Sequence, residues 1–393
     1  MVKKYKLNIV KYYAFEFFMG LWFILPISVI FLQNFGISYT QIGILEFTVA
    51  FLLIMLEIPT GVFSDFLGKK KTLFLASLFW TLAMFSIGKS SIFSLFLLGF
   101  IFWGISDALL SGTRAAFLYD SLKRLNRSSE YLKFKGVSEL IIAIATIISS
   151  LVGAYLYQSN IRLPWLLFGF SSLIASFFII ISKEPYVNNH KFTLHNQINH
   201  AKKSLSFVFS YDVIRWIIIY SAIIILPFAL FNNLMKQPYI LSLGFQVSSL
   251  GWIIALIYGM SGIFSIFSYQ IEKFIGEKNS FLLLTILHGV GFMLLGFFKF
   301  PALLSVIILI YLARTYKDNV IEYYINKHTE SLQRTTVLSA HSFAVNLFAS
   351  IYVLLGGFLL DLFNLSVVLI GLGSLSLVVG VIHIFRRFYM IRQ

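Results

Sequence analysis

Long apolar stretches separated by short polar turns fill the chain almost from end to end. A helix needs about 20 predominantly apolar residues to cross a hydrocarbon layer about 30 Å thick. Marking such stretches predicts twelve spans, near 12–34, 39–64, 72–89, 91–118, 133–158, 163–183, 212–233, 246–270, 278–297, 301–325, 334–360 and 364–387. The connections are short except for the polar residues 184–211. Within that connection Ile198, Ala201, Leu205 and Val208 recur at helical spacing, with Lys202 and Lys203 between them. This suits either a helix lying on the membrane surface or a plain linker. The connection divides the chain into an N-terminal six-helix bundle, 1–183, and a C-terminal six-helix bundle, 212–393.

Composition makes lipid the solvent. Hydrophobic residues are 59% of the chain and charged residues 12%, against about a quarter charged in a soluble domain. A water-soluble globule could not hide that much apolar surface. The net charge of +15 invites a nucleic-acid reading, but the placement of the charges removes it. With the N-terminus put in the cytoplasm, Lys and Arg gather on the inner side, in the N-terminal cluster and at 69–71, 123–135, 183–215, 273–278, 314–334 and 386–392. The outer side keeps Lys89, Arg162, Lys236 and Lys299. This positive-inside bias predicts a multi-pass protein of the cell membrane with both termini cytoplasmic. Lys3, Lys4, Lys6 and Lys11 precede an apolar stretch, as in a signal peptide. That stretch, however, runs to about Gln33, contains Glu16 and shows no small-residue cleavage site, so an uncleaved first helix is expected.

The two halves resemble each other at an offset of 204–208 residues. Phe66-Leu67-Gly68-Lys69-Lys70-Lys71 after the second span matches Phe274-Ile275-Gly276-Glu277-Lys278-Asn279 after the eighth, and Gly153 matches Gly357. The most specific local signal is Gly61-Val62-Phe63-Ser64-Asp65-Phe66-Leu67-Gly68-Lys69-Lys70, at the inner end of the second span. It resembles the signature loop of the major facilitator superfamily: a Gly, three residues, an Asp, two residues, a Gly, then a basic pair. Phe66 stands where that family often has a base. The segments 111–113, 118–122, 325–326 and 334–339 resemble a bacterial branch rich in drug-exporter-like chains.

The resemblance implies an all-α membrane protein of two six-helix pseudo-repeats, moving a small organic solute by alternating access. It makes Gly61, Asp65, Gly68, Lys69 and Lys70 the gate motif. Gly61 is expected to admit a neighbouring helix closely, and Gly68 to allow the tight turn. Asp65 is expected to meet the positive end of a helix in the other half, the eleventh span beginning near Arg334. Lys69 to Lys71 are expected to anchor the loop at anionic lipid.

Ionisable groups inside spans are costly and are by default functional candidates. Glu16 and Arg114 sit at similar depth in the first and fourth spans and are expected to pair. Asp107 lies near mid-membrane, seven residues before Arg114. Seven residues is nearly two helical turns, so the two are expected to share a face, which makes Asp107 the leading candidate to carry a coupling proton. Glu46 in the second span is a rival. Arg314 and Asp318 are four apart on the tenth span and can pair along the helix. Asn232, Asn233 and Gln237 cluster at the end of the seventh. Trp22, Phe23 and Trp103 are candidates for an aromatic wall.

Other chemistry is excluded by what is missing. His190, His195 and His200 are spaced by five, which is not a helical metal spacing. No GxxxxGK[ST] loop is present to cradle ATP phosphates, and there is no cysteine. The expectation is therefore a monomeric transporter, not an enzyme, with no metal or cofactor, and with a small-molecule substrate, protons and membrane lipids as partners. The resemblance to drug-exporter-like chains implies proton-coupled export of an amphipathic or drug-like solute as the leading expectation. A Gly-Pro-rich antiporter signature is absent from the fifth span, where Ser149-Ser150-Leu151-Val152-Gly153 stands. That keeps a metabolite uptake symporter open as an alternative, and a lipid flippase as another.

Overall fold

A computed structural model describes residues 2–185, 212–329 and 334–387. The possible surface helix at 198–208 and the three histidines of the central connection lie outside the described residues. Every regular element among the described residues is helical. Apolar chain crossing hydrocarbon must satisfy its backbone internally, and a helix does so within one segment.

The first unit carries α1 (Val2–Met19), α2 (Ser28–Asn34), α3 (Tyr39–Leu67), α4 (Lys69–Lys89), α5 (Phe93–Leu110), α6 (Thr113–Lys123), α7 (Tyr131–Ser159) and α8 (Leu163–Ile180). The second carries α9 (Asp212–Leu230), a π-helical turn (Phe231–Met235), α10 (Lys236–Ser242), α11 (Ser249–Ser265), α12 (Ser268–Phe297), α13 (Leu304–His328), α14 (Arg334–Leu362) and α15 (Leu365–Phe385). By compactness, residues 36–47 at the start of α3 belong with the second unit, and 247–255 at the start of α11 with the first. Asp361 of α14 accepts the backbone N–H groups of Tyr39 (2.9 Å) and Thr40 (2.8 Å), capping the start of α3. Gly251 of α11 lies so close to α7 that a Cβ would stand 2.5 Å from the Ser150 carbonyl oxygen.

Nine helical stretches among the described residues are long and apolar enough to cross a membrane. The remaining three of the twelve spans fall short for visible reasons. The first is split into α1 and α2, α11 has 17 residues, and α13 carries Arg314, Lys317, Asp318 and Glu322.

Several spans expected to be continuous are interrupted. Residues 20–27 break the first span. Pro26 has no N–H to give a helix there, and the Trp22 indole donates to the Met19 carbonyl at 2.9 Å, satisfying the end of α1. The fourth span breaks at Ser111 and Gly112, where Gly112 has φ 70°. The seventh passes through a π turn four residues after Pro227. The eighth and ninth spans meet at Gly276 (φ 75°, ψ 176°) inside α12. That conformation repeats Gly68 (φ 91°, ψ 149°) between α3 and α4, 208 residues earlier, and Gly36 and Gly244 repeat a positive φ at the same spacing. The repeat seen in sequence is therefore a repeat of backbone conformation.

Packing within each unit follows the small residues. In the first, α4 packs on α5 and α8 around the fully buried Trp80, Phe96, Phe100, Trp165 and Phe168. In the second, α12 lies against α15 and α9 against α14. The backbones of α12 and α15 approach so closely that a Cβ on Gly373 would stand 2.5 Å from the Gly289 carbonyl oxygen, the device that lets helices pack tightly in lipid.

Candidate functional site

The gate motif forms a charged cluster at the end of α3. The Lys69 ammonium lies 3.2 Å from Asp120 at the end of α6 and 3.8 Å from Asp65. Glu184, just past α8, accepts the backbone N–H groups of Lys69 (3.0 Å) and Lys70 (2.9 Å) and so caps α4. Burial raises the Glu184 pKa above the usual carboxylate value, opposed by those two N–H groups and by the charges of Lys69 and Lys70. Gly68 is required by its φ, and a Cβ there would stand 2.6 Å from Glu184 Oε2, which would have to shift.

One expectation changes here. Open space surrounds the position of a Cβ on Gly61, so no helix among the described residues approaches closely there. The expected partner of Asp65, the start of the eleventh span, lies in the other unit; within its own unit Asp65 stands beside Lys69. Sequence reading missed Glu184, which had been absorbed into the polar connection.

The equivalent place in the second unit has the opposite charge. Glu277, following Gly276, lies 3.0 Å from Arg387 and 3.7 Å from the His328 imidazole at the end of α13. Glu272 accepts a short hydrogen bond from the Tyr324 hydroxyl. A base sits among acids in one unit, and an acid among bases in the other.

Inside the first unit, Glu16 and Arg114 form an ion pair at 3.3 Å. Glu16 sits in the last turn of α1 and is 1% exposed, while Arg114 lies in the first turn of α6, over the Phe15 ring at 5.9 Å. The two helix breaks thus bring this pair together. Asp107, in the last turn of α5, accepts the Trp103 indole N–H at 2.9 Å. Trp103 packs on Trp80 with centroids 5.0 Å apart and meets Trp22 at 6.3 Å. The break at Ser111–Gly112 means that Asp107 and Arg114 do not share a face of one continuous helix, as the sevenfold spacing had suggested. Phe23 instead packs by its backbone against Gly153. Glu46 is half-buried in the early part of α3 that belongs with the second unit.

Inside the second unit, Asp318 is shared. Lys317 Nζ lies 2.8 Å from one of its oxygens and Arg314 Nε 3.4 Å from the other. The Arg314 guanidinium also covers the Phe228 ring at 4.8 Å. The π turn presents Asn232, whose Oδ1 accepts from Lys236 Nζ (3.0 Å) and from the Tyr311 hydroxyl (2.6 Å). Asn232 in turn donates to Asn233 at 2.7 Å. Lys236, placed by sequence among the outer-side cations, is a buried member of this network, and Tyr311 was not foreseen. A π turn adds one residue to a helical turn and occurs often at functional sites, but nothing in apolar periodicity announces it.

Comparison with known proteins bears on the whole chain. A profile of the Major Facilitator Superfamily matches residues 13–312. An uncharacterised MFS-type transporter, YxaM, of Bacillus subtilis (strain 168) is 28% identical over 274 residues, covering 68% of this chain and 66% of that one. A second, MJ1560 of Methanocaldococcus jannaschii, is 25% identical over 203 residues, covering 51% of this chain and 50% of that one. The matches thus span just under two thirds of one relative and half of the other. Among solved structures, the nucleoside transporter NupG superposes with a TM-score of 0.80 at 12% identity, over 98% of this chain and 99% of that one. A D-xylose-proton symporter does so with a TM-score of 0.72 at 14% identity, over 96% and 97%. At these identities the likeness establishes the fold.

Proposed function

This chain belongs to the Major Facilitator Superfamily, a family of transporters and not of enzymes, and we propose that it exports a small organic, amphipathic solute across the cell membrane by proton-coupled alternating access. In this reading both termini face the cytoplasm, the chain works as a monomer, and the bundles 1–183 and 212–393 move against each other. Asp65, Lys69 and Asp120 hold the inner gate, with Glu184 fixing the start of α4 beneath them.

One observation carries the proton coupling. A carboxyl, Asp107, and an ion pair, Glu16–Arg114, lie inside the first unit at the broken ends of α1, α5 and α6. Ionisable groups at such depth, on discontinuous spans, are the usual machinery for binding and coupling in secondary transporters. Asp107 is held by one indole N–H, which an ionised carboxylate accepts readily and a protonated one keeps only through its carbonyl oxygen. Loss of the proton therefore favours whatever arrangement supplies further donors or a cation, and gain of the proton releases it. That difference between two states is what a coupling group must supply.

The test is transport of amphipathic solutes by the purified protein in liposomes under an imposed pH gradient. Solute movement opposite to the proton flow supports export. Movement with the protons would make the chain an uptake symporter, and movement indifferent to the gradient would remove proton coupling.

A further inference from the structure

Positive charge inside the second unit exceeds the negative charge beside it. Arg314 and Lys317 share a single carboxylate, Asp318, and Lys236 is a third cation of the same unit. Lys236 makes no ion pair among the described residues. It is 2% exposed, and its ammonium, which has three protons to donate, makes one hydrogen bond, to Asn232. Beyond that it has the face of Tyr311 at 5.7 Å. A buried cation served so sparsely is expensive, and inside a membrane span it is a functional candidate by default.

Arg314 completes the arrangement. Its guanidinium lies over Phe228, and the Phe228 and Tyr311 rings meet edge to face with centroids 4.9 Å apart. Lys236 and Arg314 thus stand over two touching rings, each cation on its own. The Arg314 side chain is 39% exposed, so this end of the cluster is open while Lys236 is enclosed. A guanidinium can turn from one carboxylate to another of the same geometry. Asp318 would not be abandoned, because Lys317 holds it at the shorter distance. The aromatic rings supply an apolar floor and the π turn fixes Asn232 under Lys236.

We infer that Lys236 and Arg314 form the binding site for the carboxylate or phosphate group of an organic anion, whose apolar part rests on Phe228 and Tyr311. The inference rests on the transporter reading and narrows the solute to a negatively charged one. An anion between the two cations would answer the unpaired ammonium and the repulsion of like charges together. A neutral solute would leave both in place, and a cationic one would add to them.

The test measures binding and does not require transport. The thermal unfolding midpoint of the purified full chain in detergent is followed against benzoate, citrate and glucose 6-phosphate. Benzyl alcohol and glucose serve as neutral counterparts and tetraphenylphosphonium as a cation, all at ionic strength matched with sodium chloride. At least one anion is expected to raise the midpoint in a saturable way, with its neutral counterpart inert; benzoate and citrate against glucose 6-phosphate separates carboxylate from phosphate. Lys236→Met and Arg314→Gln should each weaken the apparent affinity tenfold or more, and Lys299→Met, at an exposed cation of the same unit, should leave it unchanged. Without ligand, Lys236→Met should be at least as stable as the parent, because it removes a sparsely served buried charge; a merely structural lysine would show a loss instead. Absence of any anion shift, equal shifts in both variants, or stabilisation by the neutral or cationic probes alone would overturn the site. In the last case the transporter reading would stand, since a solute would still bind.

Discussion

The interiors of the two units are built on one repeat and filled with opposite charge. In the first, Glu16 and Asp107 outnumber Arg114, and Asp107 lies among tryptophans. In the second, Lys236, Arg314 and Lys317 outnumber Asp318 and lie among tyrosine and phenylalanine. The same inversion recurs where the helices end: Lys69 is surrounded by Asp65, Asp120 and the carboxylate of Glu184, whereas Glu277 is held by Arg387 and His328. The backbone turns at these ends on the same kind of glycine, since Gly68 and Gly276 share a positive φ with extended ψ. Fold is therefore conserved between the repeats while electrostatic role is not. An acidic interior suits proton exchange, and a basic one suits holding an anion.

Breaking the acidic side should have the largest effect on stability. Glu16→Ala strands Arg114, and removing one partner of a buried pair costs about 3–5 kcal/mol. Because the Arg114 side chain is 32% exposed, the loss is expected at the lower end, near ~3 kcal/mol. Glu16→Gln combined with Arg114→Gln should recover part of it. Thermal unfolding of the three variants checks this, and a silent Glu16→Ala would mean that the pair contributes nothing net.

The paired glycines sharpen the comparison. Positive φ with extended ψ is a region essentially confined to glycine, and an alanine forced into it costs about 1–3 kcal/mol; Gly276→Ala should cost that alone, since open space surrounds it. Gly68→Ala should cost more than Gly276→Ala, because Glu184 must also move and the cap on α4 weakens, a loss of about 1 kcal/mol. Equal losses would show that Glu184 yields freely.

The smallest effect concerns pH. The Glu184 pKa is raised in the folded protein, so the folded state binds its proton more readily than the unfolded state does. The stability this contributes is present below the ordinary glutamate pKa and fades as pH rises through the raised value. Relative to Glu184→Gln, the parent should lose a little stability across that interval. Parallel pH profiles of the two would contradict the assignment.

Much of this was legible in the sequence, and the remainder was hidden for physical reasons. The spans, the repeat offset and the Glu16–Arg114 pairing follow from apolar length and from the cost of charge in lipid. Helix breaks do not disturb hydropathy, so residues 20–27 and 111–112 and the π turn passed as continuous span. Pro26, Gly112 and Pro227 were the local signals available. Asp107 and Arg114 were linked by a periodicity that the break cancels. Lys236 was counted among the outer-side cations, and its position near the end of a span says nothing of burial. Glu184 and Asp361 cap helices remote in sequence, which no local pattern can express.

The proton-coupled mechanism meets its most direct test in Asp107→Asn, which fixes that carboxyl in a permanently uncharged form. One reconstituted preparation is assayed in two modes, accumulation of solute under a pH gradient and exchange of solute without one. The account predicts that the variant loses gradient-driven accumulation and keeps exchange. Undiminished gradient-driven accumulation by Asp107→Asn would contradict it, and Glu46 and Glu16 would then be the carboxyls to examine.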